Sequence, residues 1–465
     1  MNAAYVIRDV SLALEALEGG GCTAGGTLHD VHIAGGRIVR IAVAGSPDAG
    51  AGDAAAPDRS DDVDEPGKAT VIGGQGLVAL PGFTDLYGRL REPGPSGRGS
   101  LASETRAALA GGFTRVLCAP DTRPVIDDTA TVELIRRRTS DSPGAAVLPM
   151  AALTRGLDGR ELAPLATLQG LGCVAAGQAD RPLEDTGVLL SAMQYAASFD
   201  LPLVMTPRDA HLGADGCAHD GAVASRLGLP GVPVAAETVA LARLLELARE
   251  SGCRLHVSRL SSARGVVLVA EAKASGLPVT ADVGIHHLLF TEAEIDGFDA
   301  RYRAEVPFRS ATDRQALRDA VRAGVIDAIC SDHAPLDGDA RLAPFPSCEP
   351  GLCAYDRFAS LLLALPSLLG MPPSDVLERV IDAPARVLGL PAREGAGTVL
   401  AEGMAADLVL LDASADADGP VFGAGRNTPL EGVFDLAELT GEAAPLRGVV
   451  RLAMVGGDLR LDARR

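Results

Sequence analysis

The sequence predicts an α/β protein built on a closed, parallel (β/α)8 barrel, with strand-rich segments at both ends of the chain. Two observations carry this reading. From Val78 onward, eight apolar strand candidates alternate with amphipathic helical stretches, the rhythm of a parallel sheet covered by helices. The Gly-x-Gly-x-x-Gly turn that opens many doubly wound sheets is missing after the first of these strands, which favours a closed barrel over an open sheet.

Residues 1–77 contain short strand candidates at Tyr5–Val10, Val31–Ala34, Gly36–Val43 and Thr70–Ile72. Between them, residues 44–68 are rich in Ala, Gly and Asp and lack periodicity. Such a stretch buries too little apolar area to offset chain entropy and reads as a mobile loop. The barrel is expected over residues 78–390. Its strands are read at Val78–Leu86, Thr114–Ala119, Ala146–Ala152, Gly172–Ala176, Leu201–Met205, Arg254–Ser258, Pro278–Val283 and Ile326–Cys330. Helical patterns fall between them at Ser100–Ala110, Thr238–Glu250, Ala263–Ala274 and Thr312–Ala323, and two more follow at Tyr355–Leu369 and Ser374–Val380. Short strands then return, at Pro384–Leu390 and within residues 391–465.

The chain is 465 residues long with a formal charge of −19. That balance argues against nucleic acid or an anionic membrane surface as a partner. No stretch reaches the roughly 18 uninterrupted apolar residues of a membrane span, and the N-terminus lacks a basic region followed by an apolar run. Eight scattered cysteines form no Cys-x-x-Cys pair. They read as reduced thiols of a cytoplasmic protein, several of them serving as small core hydrophobes.

Chemistry is expected at the C-terminal ends of the barrel strands. The first strand leads into Leu80-Pro-Gly-Phe-Thr-Asp-Leu-Tyr-Gly-Arg-Leu-Arg-Glu-Pro-Gly94. This resembles the Pro-Gly-Phe-x-Asp-x-His-x-His-Leu-Arg motif of cyclic amidohydrolases, and of dihydroorotases most closely. Gly403–Asp412 and Arg426-Asn-Thr-Pro-Leu-Glu-Gly432 are similar to the family's C-terminal segments. The resemblance implies the TIM barrel of the amidohydrolase superfamily, with a small β-sandwich built from both chain ends. It also implies zinc, held by four histidines, an aspartate and a bridging carboxylate or carbamylated lysine.

Set against that implied ligand set, this chain departs at almost every position. Tyr87 and Arg89 stand where the first strand should carry its histidine pair. The fourth strand ends in Ala175-Ala-Gly-Gln-Ala179, so Gln178 and its neighbours offer no bridging group. Thr206-Pro-Arg-Asp209 replaces His-Ala-Glu-Asp, and His256-Val-Ser-Arg259 puts an arginine at the second histidine of its motif. Only Asp332, in Ser331-Asp-His-Ala-Pro335, matches the family's general base and metal ligand. Arg89, Arg208 and Arg259 bring fixed positive charge to the same end of the barrel, and a guanidinium is no zinc donor. The family's carboxylate-binding pair survives as Arg91, but its asparagine is Asp121, which would repel a substrate carboxylate.

These residues support blander roles as well. Arg89 and Arg259 read as a buried cluster satisfied by Asp332, Asp209 and Asp85, and Arg91 as a rim partner of Glu92. His286 and His287, adjacent on a strand end, read as structural because they point to opposite faces. His29 and His32 read as fold residues, and His211 with His219 as a poor candidate for a relocated metal site. The resemblance therefore implies a noncatalytic dihydroorotase homologue without zinc or any other cofactor, acting as a structural partner of aspartate carbamoyltransferase in pyrimidine biosynthesis. A homodimer is compatible with this. The alternatives are a working cyclic amidohydrolase with an atypical metal site, and an amidohydrolase-derived scaffold outside pyrimidine metabolism.

Overall fold

Strands from the two chain ends meet in one eight-stranded sheet, beside a second sheet of eight parallel strands that closes into the barrel. The computed structural model describes residues 3–12, 26–46, 69–95, 97–140, 142–390, 398–417, 421–429 and 446–464. From residue 47 on, the loop expected over 44–68 lies outside the described residues, and the Arg426–Gly432 motif is described only as far as Pro429.

In chain order the strands are β1 (Tyr5–Ser11), β2 (Leu28–Ala34), β3 (Arg37–Val43), β4 (Thr70–Gly73) and β5 (Val78–Pro81). The barrel begins with β6 (Phe83–Gly88), β7 (Phe113–Cys118), β8 (Ala146–Ala152), β9 (Ala175–Gly177) and β10 (Leu203–Met205). A short excursion, β11 (Ala218–His219) and β12 (Gly231–Val232), precedes β13 (Leu255–Val257), β14 (Val279–Gly284) and β15 (Ala328–Cys330). The chain ends with β16 (Leu408–Asp416), β17 (Arg447–Val455) and β18 (Asp458–Asp462).

The terminal sheet runs β18-β17-β16-β5-β1-β2-β3, with β4 also on β1. Val31, Ile33 and Ile38 from one end of that order share a core with Leu408, Leu410, Leu452 and Met454 from the other, so the sheet folds over on itself as a sandwich. The barrel sheet runs from β6 to β15 in sequence order. It closes through a parallel bridge between Gly88 and His333, a 2.8 Å bond from Arg89 N–H to the His333 carbonyl, and Asp85, whose side chain accepts from Ser331 N–H at 2.9 Å.

The helices start where the sequence supplies caps. Ser100 with Ser103, and Ser310 with Asp313, form reciprocal capping boxes on Leu101–Ala110 and Ala311–Ala323, which satisfies amide groups that have no partner inside the helix. Gly252, Gly324 and Gly370 end their helices in the left-handed conformation.

Two expectations change. The run 78–86, read as one barrel strand, divides at Gly82: Val78–Pro81 pairs with β16 in the terminal sheet, and only Phe83–Gly88 enters the barrel. A Cβ on Gly82 would lie 2.1 Å from the Thr114 side chain, so only glycine fits at this crossing. Pro384–Leu390, read as strand, instead continues the helix Asp382–Val387. Proline is tolerated in a first helical turn, where its missing N–H is not needed, and Val387 packs beneath the barrel with Ala328 and Cys330.

Candidate functional site

The barrel mouth is assembled by turns that follow the strand ends. Ala179, Arg259 and Asp332 each lie two residues past a strand (β9, β13 and β15) and each has a positive φ, of 52°, 56° and 50°. Left-handed backbone is costly for non-glycine residues and accumulates at functional sites. Here it aims Asp180, Arg259 and Asp332 at one another.

Arg259 is the centre of the cluster. Its side chain is fully buried and donates to Asp332 at 2.9 Å, to Asp180 at hydrogen-bond distance and to Thr206 Oγ1 at 2.5 Å. Its guanidinium carbon lies 3.7 Å from the centre of the Tyr87 ring, a cation–π contact in a desolvated setting. Arg89 completes the network: it pairs with Asp121 at 2.9 Å, with Asp180, and with Glu305 at 3.4 Å. Glu305 also receives Arg208 at 2.9 Å. The Tyr87 hydroxyl donates to Asp180 at 3.2 Å.

Asp180 and Glu305 are the residues that sequence reasoning missed. Asp180 sits one position beyond the stretch searched for a bridging group, and Glu305 lies in an irregular loop after β14. A signal was present nonetheless. Arg89 and Arg259 cannot be buried without matching carboxylates, and once Asp85 and Asp209 are committed elsewhere Asp332 alone does not balance them. Burial opposes the charge of Asp180, but Arg259 and then Arg89 outweigh it and hold the carboxyl below its ordinary range. For Asp332 burial wins, and its pKa is raised despite Arg259.

The other expectations divide. Tyr87, Arg89, Thr206, Arg208, Arg259, Asp332 and Asp121 come together as one network. Gln178 does not join it: its amide is buried against Thr154, donating to Oγ1 at 2.9 Å. Asp209 is no counterion either, since its carboxylate caps the His211 and Leu212 amides at 2.9 Å each. Asp85 accepts instead from Ser331 and from the Tyr355 hydroxyl at 2.8 Å. Burial pushes its pKa up to about 6 against those bonds. Arg91 and Glu92 do not pair; Arg91 Nε donates to the Pro335 carbonyl at 3.0 Å, and Glu92 takes Arg138 and the Leu101 amide. Asp121 is not a bare negative charge, because Arg89 neutralises it.

His286 and His287 lie on a short helical turn, Ile285–Leu288, instead of a strand end. Both are buried, which lowers their pKa values to about 3 and about 4. They are neutral fold residues: His287 Nε2 bonds the Val306 carbonyl at 3.1 Å, and His286 stacks on Phe290. His211 is exposed, whereas His219 is buried against Arg309. His29 and His32 lie on β2.

Among the described residues, no three His, Cys, Asp or Glu side chains are placed to hold a metal ion. The positions from which a barrel-mouth metal would be held carry Tyr87, Arg89, Thr206 and Arg259 instead. The Arg259 guanidinium occupies the space in front of Asp332 and Asp180, and a second fixed cation there would be repelled. These residues do not fit a zinc centre.

Residues 76–264 match the family model described as Dihydro-orotase-like. A dihydroorotase-like protein of Pseudomonas putida is 44% identical over 432 residues, covering 92% of this chain and 93% of its own length. The chain belongs to the dihydroorotase-like family. A second dihydroorotase-like protein, from Pseudomonas aeruginosa, is 44% identical over 392 residues, or 83% of this chain and 88% of that one. A dihydroorotase of Anaeromyxobacter dehalogenans is 39% identical across 80% of this chain and 86% of its own length. Among solved structures, a D-hydantoinase superposes with a TM-score of 0.73 at 17% identity, over 99% of this chain and 96% of that one. The L-hydantoinase of Arthrobacter aurescens gives 0.71 at 19%, over 100% and 97%. At such identities the structural matches establish the fold: this dihydroorotase-like chain has the amidohydrolase barrel and sandwich.

Proposed function

We propose that this chain is a noncatalytic dihydroorotase homologue that serves as a structural partner of aspartate carbamoyltransferase in cytoplasmic pyrimidine biosynthesis. The observation that carries the first half is the buried Arg259, paired with Asp332 and Asp180 and stacked on Tyr87. Dihydroorotase chemistry draws on a metal-activated water, whose pKa falls from about 15.7 to about 7 when bound. Here the groups at the barrel mouth are pledged to arginines. Asp332 is tied up by Arg259, so it is poorly placed to act as a general base. A fold kept without its metal donors calls for another use, and a protein-binding exterior is the simplest; the identity of the partner rests on the family resemblance.

The name of the Anaeromyxobacter relative favours a second reading, an active amidohydrolase with an atypical metal site. One set of measurements separates the two. Elemental analysis of protein purified without chelator should find far less than one zinc per chain, with dihydroorotate hydrolysis undetectable. Light scattering of a mixture with aspartate carbamoyltransferase should show a heavier complex. A stoichiometric, barrel-bound zinc overturns the noncatalytic reading. Two unshifted peaks at micromolar concentration, with the transferase fully active alone, overturn the partner role.

A further inference from the structure

The arginine–carboxylate network divides the barrel mouth into two cavities, since Asp180 and Glu305 line both. The outer cleft is bordered by five arginines and three acids. All three acids, Asp121, Asp180 and Glu305, are ion-paired to Arg89. Arg98 is also committed, to Glu349 at 2.5 Å. That leaves Arg91, Arg123 and Arg181. Among the described residues, Arg91 spends only its Nε, on a backbone carbonyl. Arg123 and Arg181 are exposed and have no side-chain partner among the described residues. Burial, then the neighbouring charge of Arg89, holds Arg91 below the usual guanidinium range.

Arg91, Arg123 and Arg181, three guanidiniums without a salt-bridge partner among the described residues, border this cleft in a chain of net charge −19, whose overall field repels anions. We propose that this cleft binds a compact, multiply charged phosphoryl compound, a diphosphate or a phosphate ester. Guanidinium forks match phosphate oxygens two at a time and remain charged at any accessible pH. Several such forks suit an anion with many oxygens better than a single carboxylate. None of the lining residues is aromatic, so no ring is offered to a nucleobase and the phosphoryl groups dominate recognition. The inference goes beyond the partner role and does not depend on it.

Inorganic pyrophosphate titrated calorimetrically into the full-length protein tests the site. The expected result is saturable one-to-one binding that weakens at least tenfold in the double variant Arg123→Gln/Arg181→Gln. Both residues are exposed and unpartnered, so the variant should melt like the parent. Arg137→Gln, on the exposed face of the helix Thr129–Ser140, should bind as the parent does. Absence of saturable binding at millimolar pyrophosphate overturns the proposal, as does equal binding by the double variant. Malonate binding more tightly than pyrophosphate would assign the cleft to dicarboxylates and also overturn it.

Discussion

Two networks occupy the same end of the barrel and both include residues of segments 80–94 and 331–335, yet they are built differently. One is ionic: Arg89, Arg208 and Arg259 against Asp121, Asp180, Glu305 and Asp332. The other uses residues of the same segments and depends mainly on hydrogen bonds. Asp85 ties Ser331 and Tyr355 together, closing the seam between β6 and β15. His333 bonds Glu104 at 2.9 Å and stacks on Tyr355, while Glu104 takes the Ala424 amide. Asn427 spans the Leu336 amide and the carbonyls of Ala334 and Gly351. Apart from Asp332 and Arg91, the residues named here that still match the family motif are those that hold the barrel shut. The residues that depart from it fill the mouth with mutually neutralising charge. Retention of Asp85 and His333 is accounted for by architecture and is not evidence of catalysis.

The contrast can be broken most forcefully at Arg259. Arg259→Met leaves Asp180 and Asp332 buried without their shared cation, and should cost about 3–5 kcal/mol in urea unfolding. Asp332→Asn should cost less, on the order of 1–3 kcal/mol, because burial already opposes its charge and Arg259 keeps Asp180. An equal loss for the two variants would mean that Asp332 is the true anchor.

The next effect concerns pH, and Asp85 and Asp180 respond with opposite sign. Asp85 has its folded pKa raised from 3.8 to about 6, so the folded state holds the proton more tightly than the unfolded chain. Stability from this group is fully present below about pH 4 and is lost as pH rises to about 6, on the order of 3 kcal/mol in all. Asp180 is depressed instead; its contribution is present above about pH 4 and is lost as pH falls below it. Asp85→Asn should flatten the decline between pH 4 and 6 while leaving the acid limb intact, as followed by thermal melts across pH.

A smaller effect is expected at the seam. His333→Leu removes the bond to Glu104 and should lower stability by about 1.5–3 kcal/mol, with its largest increase in hydrogen exchange around the helix Leu101–Ala110. Smallest of all, Tyr87→Phe keeps the ring beneath Arg259 and removes only the hydroxyl on Asp180. Its cost should be about 0.5–1.5 kcal/mol; a loss as large as that of Arg259→Met would show that the hydroxyl, not the stacking, matters.

The barrel was legible because strand and helix periods alternate over a long stretch, and because Ser100, Ser310 and the helix-ending glycines sit where the pattern breaks. The site was legible as a set of substitutions: Tyr87, Arg89, Thr206 and Arg259 do converge. What the sequence hid was the pairing. Asp180 reaches the cluster because Ala179 adopts a left-handed turn, and alanine carries no signature of that conformation. Asp209 looked equally suited by position but turns away to cap its own loop. Gly82 hid a change of sheet inside one apolar run, because β5 and β6 are both apolar while belonging to different sheets.

That change of sheet has a bearing on how the chain is made. Residues 78–81 hydrogen-bond to residues 408–411, so the emerging polypeptide carries Val78–Pro81 with β1 on one edge and the other edge open until the whole barrel has left the ribosome. At usual translation speeds the wait is on the order of tens of seconds. Throughout it, the apolar sides of β1, β2 and β5 stand open to solvent, waiting for Leu408, Leu410, Leu452 and Met454. Pairings this distant in sequence also form slowly once the chain is complete. Shortening the C-terminus past β16 would strand the first strands made, and the damage would appear as aggregation during synthesis before any loss at the barrel mouth.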